Sequence, residues 1–173
     1  MSMERSYNKL TEEQQDFFRN LSTFIGEKIY FYGSIQRIDY IQGKSDIDID
    51  IFTNDTSNLI QKICTFIDSE KHQFKKTILN INGKVIYGLK TFYTNKIDNI
   101  KAEISVFNQS YKDVVLKDRL EVIYLPLYKV IFLYIVKILY YHFSIISIDI
   151  YRQMKRLIMN SSEIKFIALD INN

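Results

Sequence analysis

The chain of 173 residues has no tryptophan, one proline (Pro126), one cysteine (Cys64) and five glycines. A single cysteine excludes an intramolecular disulfide and a cysteine zinc site, and points to a reducing, cytoplasmic setting. No stretch is rich in proline, glycine or serine, so composition marks no domain boundary. The leading segment MSMERSYNKLTEEQQ lacks the apolar run of a secretory signal. An excess of one charge sign is missing too. With 23 basic and 20 acidic side chains the net charge is +3, so attraction to nucleic acid must come from a local patch.

What is present is a folded composition: 47% hydrophobic, 14% aromatic and 25% charged residues. The length fits one domain over residues 1–173, with a core over about 11–110 and a helical extension over about 111–160.

Thr11 and Gln14 form a capping-box pattern, and Phe17, Phe18, Leu21, Phe24 and Ile25 follow at helical spacing, which predicts a helix over about 11–26. IYFYG reads as a short buried strand, and DIDIDIF from Asp46 as a second. Asn54, Asp55 and Thr56 start a helix over about 56–70, with Leu59, Ile60, Ile63, Phe66 and Ile67 as its stripe and Cys64 in the core. Asn82-Gly83 between two β-rich runs predicts a hairpin, and IKAEISVF from Ile100 another strand.

From Pro126 to Ile150 the chain is densely apolar. A lysine near the centre of a membrane span costs about 3 kcal/mol, so Lys137 favours a buried core helix, and no stable membrane insertion is expected. A final amphipathic helix carries Arg152, Lys155 and Arg156. The elements together predict an α/β (α+β) fold, a mixed sheet flanked by helices.

On a strand, side chains alternate, so Asp46, Asp48 and Asp50 share one face and Ile47, Ile49 and Ile51 the other. Neighbouring carboxylates about 7 Å apart repel by about 2 kcal/mol at an effective dielectric of 20. Mg²⁺, which prefers hard oxygen ligands, relieves that repulsion; a solvated strand face is the plainer alternative. Upstream, Gly33-Ser34 ends an apolar strand and allows backbone and hydroxyl donors to approach a phosphate closely.

The pattern of a hydrophobic residue, Gly33-Ser34, a gap of 11 residues, then Asp46-Ile47-Asp48-Ile49 resembles the DNA polymerase beta-type nucleotidyltransferase superfamily. The resemblance implies that Gly33 and Ser34 hold nucleotide phosphates and that Asp46 and Asp48 bind two Mg²⁺ (or Mn²⁺) ions. A third carboxylate is implied on a later strand; Glu103 is the best candidate and Asp98 a weaker one. Asp48 with Asp50 is the other register for the pair, but the gap and Ser45 favour the earlier one. The sequence departs from many small members in having no further glycine soon after Gly33-Ser34, which bears on the shape of the turn.

Arg37, Lys44, Arg152, Lys155 and Arg156 are candidates to pair with a triphosphate or with an acceptor's phosphates, and Tyr32 is a candidate for contact with a nucleobase. The activity implied is transfer of a nucleoside monophosphate from an NTP to a hydroxyl-bearing acceptor, with pyrophosphate released and RNA or protein favoured as acceptor. The alternative is a noncatalytic, antitoxin-like or scaffold protein that retains the fold.

Overall fold

A computed structural model of the chain describes residues 9–159, the His72 side chain excepted. Helix α1 (Glu12–Ile25) starts at the predicted capping box: Thr11 accepts from the Gln14 amide, and the Gln14 side chain accepts from the Thr11 amide. It is followed by β1 (Ile29–Tyr32), a 3-10 turn (Gly33–Gln36), β2 (Ile47–Thr53) and α2 (Thr56–Phe66). The hairpin strands β3 (Lys75–Ile81) and β4 (Lys84–Asn95) and then β5 (Ile100–Asn108) complete a five-stranded sheet. Three helices follow among the described residues: α3 (Lys112–Ile123), α4 (Leu127–Tyr141) and α5 (Ile148–Met159).

The sheet order is β1-β2-β5-β4-β3; only β2 and β5 run parallel, so the sheet is mixed as expected. Asn82 and Gly83 have φ of 51° and 81°, the two left-handed positions that a tight two-residue hairpin turn requires.

Alternation along the strands gives the sheet two unlike faces. On one, Ile29, Phe31, Ile47, Ile49, Ile51, Ile100, Ala102, Ile104 and Val106 join Phe18, Leu21 and Ile25 of α1 and Leu59, Ile60, Ile63 and Cys64 of α2 in the main core. The other face is divided. Phe52, Leu79, Ile81, Ile86 and Phe107 pack on Val115 of α3, while the rest carries the acids.

Three boundaries differ from the sequence expectation. Asp46 lies just before β2, in the loop. Helix α2 stops at Phe66, where Asp68 turns left-handed (φ 50°) and the Ser69 amide closes on the Cys64 carbonyl. The apolar run after Pro126 is broken by Ser144 (φ 52°), with the Ile145 amide closing back on Leu139, and Ser147 then starts α5. Nor is α4 a helix buried all round. Val130, Leu133, Val136 and Lys137 face inward, whereas Leu127, Tyr128, Ile131, Phe132 and Ile135 are exposed. Among the described residues no single helix is long and apolar enough to cross a membrane.

Candidate active site

Strand register builds the site. Asp48 of β2 stands opposite Glu103 of β5, with Tyr32 of β1 on its other side and Phe92 of β4 beyond Glu103, so the four share one row and one face. One row along, Asp50 stands between Tyr30 and Ser105. β3 begins at Lys75, opposite Lys90, and does not extend as far as Phe92, which leaves the Phe92 ring 65% exposed beside the acid row.

Gly33 backs this row. Its φ of 74° is left-handed, and a Cβ added there would run into the Asp48 carboxylate. Ser34 follows, partly exposed at the start of the 3-10 turn, and its carbonyl accepts from the Arg37 amide at 2.9 Å. The turn and the acid strand are therefore in contact, with no room between them for a side chain.

The three aspartates of DIDID have different surroundings. Asp50 is fully buried, and its Oδ2 accepts from Arg119 Nε of α3 at 2.9 Å. Burial, opposed by Arg119, raises the Asp50 carboxyl; burial lowers Arg119, but the Asp50 charge more than restores it. The same guanidinium lies 4.1 Å from the centre of the Tyr32 ring. Tyr32, expected to be free for a nucleobase, is instead enclosed, and its hydroxyl donates to Glu103 Oε1 at 3.0 Å.

Asp48 is only partly covered and faces Glu103. Burial first, then the Glu103 charge, pushes its carboxyl up to about 7, against the pull of Lys155 and Lys90. Asp46 is an exposed residue, yet the protein around it still desolvates its carboxyl enough to raise it, with Lys155 and Lys101 opposing. Of the basic residues on α5, Lys155 is the one whose charge acts on both acids. Glu103 is also held by Lys90 Nζ at 2.5 Å.

The remaining predicted residues separate. Lys44 is exposed on the turn before Ser45. Arg37 is buried, with Nε and Nη2 on the two oxygens of Asp39 at 2.7 and 3.1 Å. Its forked donors are spent on holding the loop, which corrects the expectation that they face a triphosphate. Asp98 accepts from Asn95 Nδ2 at the β4–β5 turn. Sequence reading did not single out Arg119, Lys90 or Phe92; each acts through a partner on another strand or helix, which local pattern does not reveal. Lys137 left one signal, a charge near the middle of an apolar run.

Among the described residues, no group of three or more His, Cys, Asp or Glu side chains is gathered as a metal would require, and Glu103 is engaged by Lys90 and Tyr32. The donor chemistry nevertheless fits a hard divalent cation. Asp48 and Glu103 repel each other across adjacent strands, Asp46 in the preceding loop adds its charge to theirs, and the buried Tyr40 hydroxyl, in the field of Asp46 and Asp48, has no hydrogen-bond partner.

Comparison with known families decides the assignment: the model for the nucleotidyltransferase domain matches residues 12–146. The chain belongs to this nucleotidyltransferase family. No curated protein matches it. Among solved structures it is similar to Cid1, described as having RNA terminal uridylyl transferase activity, at 12% identity and a TM-score of 0.43, covering 80% of this chain and 43% of that one. A cytoplasmic RNA terminal U-transferase gives 14% identity and a TM-score of 0.43, covering 82% and 46%. The GLD-2/RNP-8 complex gives 16% and 0.42, covering 86% and 46%. The chain spans less than half the length of these solved proteins.

Proposed function

We propose that this nucleotidyltransferase moves a nucleoside monophosphate from an NTP to a hydroxyl-bearing acceptor, with Asp46, Asp48 and Glu103 as its catalytic carboxylates. The observation that carries the reading is the cross-strand pair Asp48–Glu103 backed by Gly33, with Asp48 pushed up to about 7 by burial and by Glu103. A folded protein keeps such repulsion where a cation is to offset it. The three carboxylates would hold two Mg²⁺ (or Mn²⁺) ions, which supply Lewis-acid charge at the phosphates and at the attacking oxygen when bound.

The chain's own residues do the positioning. Gly33 lets the backbone approach the phosphates, and Ser34 offers a hydroxyl donor. Lys155, and Lys44 on the turn, supply positive charge for the triphosphate. Tyr32 and Lys90 fix Glu103. The acceptor hydroxyl gives up its proton to solvent and its oxygen forms a bond to the α-phosphorus as the bond to pyrophosphate breaks, and pyrophosphate leaves. RNA is the acceptor we favour, because Phe92 offers an exposed ring beside Glu103 on which a base can stack.

The test is incubation of the full chain with each labelled NTP, Mg²⁺ or Mn²⁺, and separate RNA, protein and small-molecule pools. Label should enter the RNA pool, and the paired change Asp46→Ala with Asp48→Ala should abolish transfer while circular dichroism stays native. Transfer that survives this change would refute the assignment of the acids. The noncatalytic scaffold reading draws on one observation, the engagement of Glu103 by Lys90 and Tyr32. A Mn²⁺ titration with no response in the presence of every NTP would favour it.

A further inference from the structure

The loop between the Gly33-Ser34 turn and the acid strand is fastened from outside by one side chain of a distant helix. Lys137, on the inner face of α4, is buried, and its ammonium makes three contacts. It reaches Asp39 Oδ2 at 3.0 Å, the Asp39 carbonyl at 2.8 Å and Ser45 Oγ at 3.3 Å. Ser45 Oγ also accepts from the Ile41 amide at 3.1 Å, and the Ser45 and Lys44 amides return to the Ile41 carbonyl at 2.9 and 3.2 Å. Both ends of the loop therefore converge on one ammonium.

Beyond these bonds, Lys9 Nζ donates to the Arg37 carbonyl at 2.6 Å and Tyr40 packs, partly buried, against the main core, but the loop has no ladder of its own. It forms no strand, and Gly43 at φ 72° provides its reversal. Arg37 braces Asp39 from the other side and donates to the Val122 carbonyl of α3 at 3.4 Å. The Asp39 carbonyl that Lys137 grips belongs to the peptide joined to Tyr40, whose hydroxyl lies near Asp46 and Asp48; Ser45 directly precedes Asp46. A small movement of the loop moves both groups relative to the acid row. An error of about 1 Å in a reacting group costs on the order of 100-fold in rate.

We propose that Lys137 is a positioning residue for the acid site, pinning the 37–46 loop so that Asp46 and Tyr40 stand in register with Asp48. The role rests on the reading of Asp46 and Asp48 as catalytic carboxylates, while the pinning itself is a property of the protein without substrate. It gives α4 a part in the site although the helix contributes no catalytic group.

Backbone hydrogen exchange on the full chain tests the pinning. Lys137→Met keeps length and apolar bulk, and leaves Asp39 paired with Arg37. The Ile41, Lys44 and Ser45 amides should then exchange roughly tenfold faster or more, while those of the β3–β4 hairpin keep their rates. Unchanged loop amides, or an acceleration shared equally by the hairpin, overturn the proposal. Should Lys137→Met fail to fold, Ser45→Ala removes the oxygen at which the Ile41 amide and Lys137 meet; it must accelerate the same amides, or the proposal fails.

Binding of ATP with Mn²⁺ tests what the pinning serves. Lys137→Met should weaken it about tenfold; wild-type affinity in the variant overturns the positioning role. If the wild-type protein itself binds no NTP with Mn²⁺, the functional reading fails, and with it the catalytic purpose of the loop, while the exchange result still decides the pinning.

Discussion

Asp48 should be a destabilising residue in the metal-free protein. Its carboxyl is raised from 3.8 to about 7, first by burial and then by Glu103. Below about pH 4 the group is protonated in both folded and unfolded chains and contributes nothing. Between about pH 4 and 7 the unfolded chain releases the proton while the folded chain keeps it, so stability falls as pH rises; above 7 the penalty is constant. The full rise corresponds to about 4 kcal/mol. Water reaches the partly covered carboxylate and screens part of this, leaving about 2 kcal/mol. Asp48→Asn keeps the shape and removes the charge, so at pH 8 in EDTA it should melt about 4–8 °C above wild type. At pH 4 the two should melt together. Saturating Mg²⁺ should reverse the order at pH 8, because only the wild type gains the ligand's binding energy. Differential scanning calorimetry at both pH values decides it: an Asp48→Asn protein no more stable than wild type at pH 8, or equally stabilised at pH 4, would refute the reasoning.

Two further outcomes follow from the same geometry. Arg119→Met leaves Asp50 buried without its cation and should cost about 3–5 kcal/mol in urea denaturation, whereas Arg119→Met with Asp50→Asn should recover most of that loss. Gly33→Ala should cost about 1–2 kcal/mol for its left-handed backbone and displace the Asp48 carboxylate, so nucleotide binding measured by calorimetry should fall well beyond what the loss of stability explains.

Much of the fold was legible because each element carries its own period. The stripe Phe18, Leu21 and Ile25 on α1, the capping box at Thr11, and the Asn82-Gly83 turn are local signals, and local hydrogen bonds and burial answer to them. Alternation in β2 separated the isoleucine face from the acid face correctly. Alternation says which residues share a face, however, and not which strand lies alongside. The parallel pairing of β2 with β5, which sets Asp48 opposite Glu103, is a non-local choice. The run after Pro126 misled for a related reason: its apolar content hid the left-handed break at Ser144 and the outward half of α4, both set by packing.

The candidate site was legible as a set of acids but not as a division of labour among them, and ion pairing makes that division. Asp50 repeats the spacing of Asp46 and Asp48, yet it meets Arg119 from α3, as Asp39 meets Arg37 and Lys137. These acids are matched inside the protein, and their partners hold helices and loop against the sheet. Asp46 and Asp48 are in no direct ion pair among the described residues, while Lys155, Lys101 and Lys90 act on them only through space. Nothing in DIDID distinguishes a matched aspartate from an unmatched one, because the cations lie on strands and helices far along the chain. An acid matched by its own cation is offset within the protein; an acid kept near neighbouring carboxylates without one costs stability that a bound cation would offset. If the proposed function holds, Asp46 and Asp48 would be the working pair, and Asp50, matched by Arg119, would belong to the scaffold. Glu103 stands between the two classes, held by Lys90 and Tyr32 while facing Asp48, so on the proposed function Lys90 would have to release it before a cation could draw on all three carboxylates.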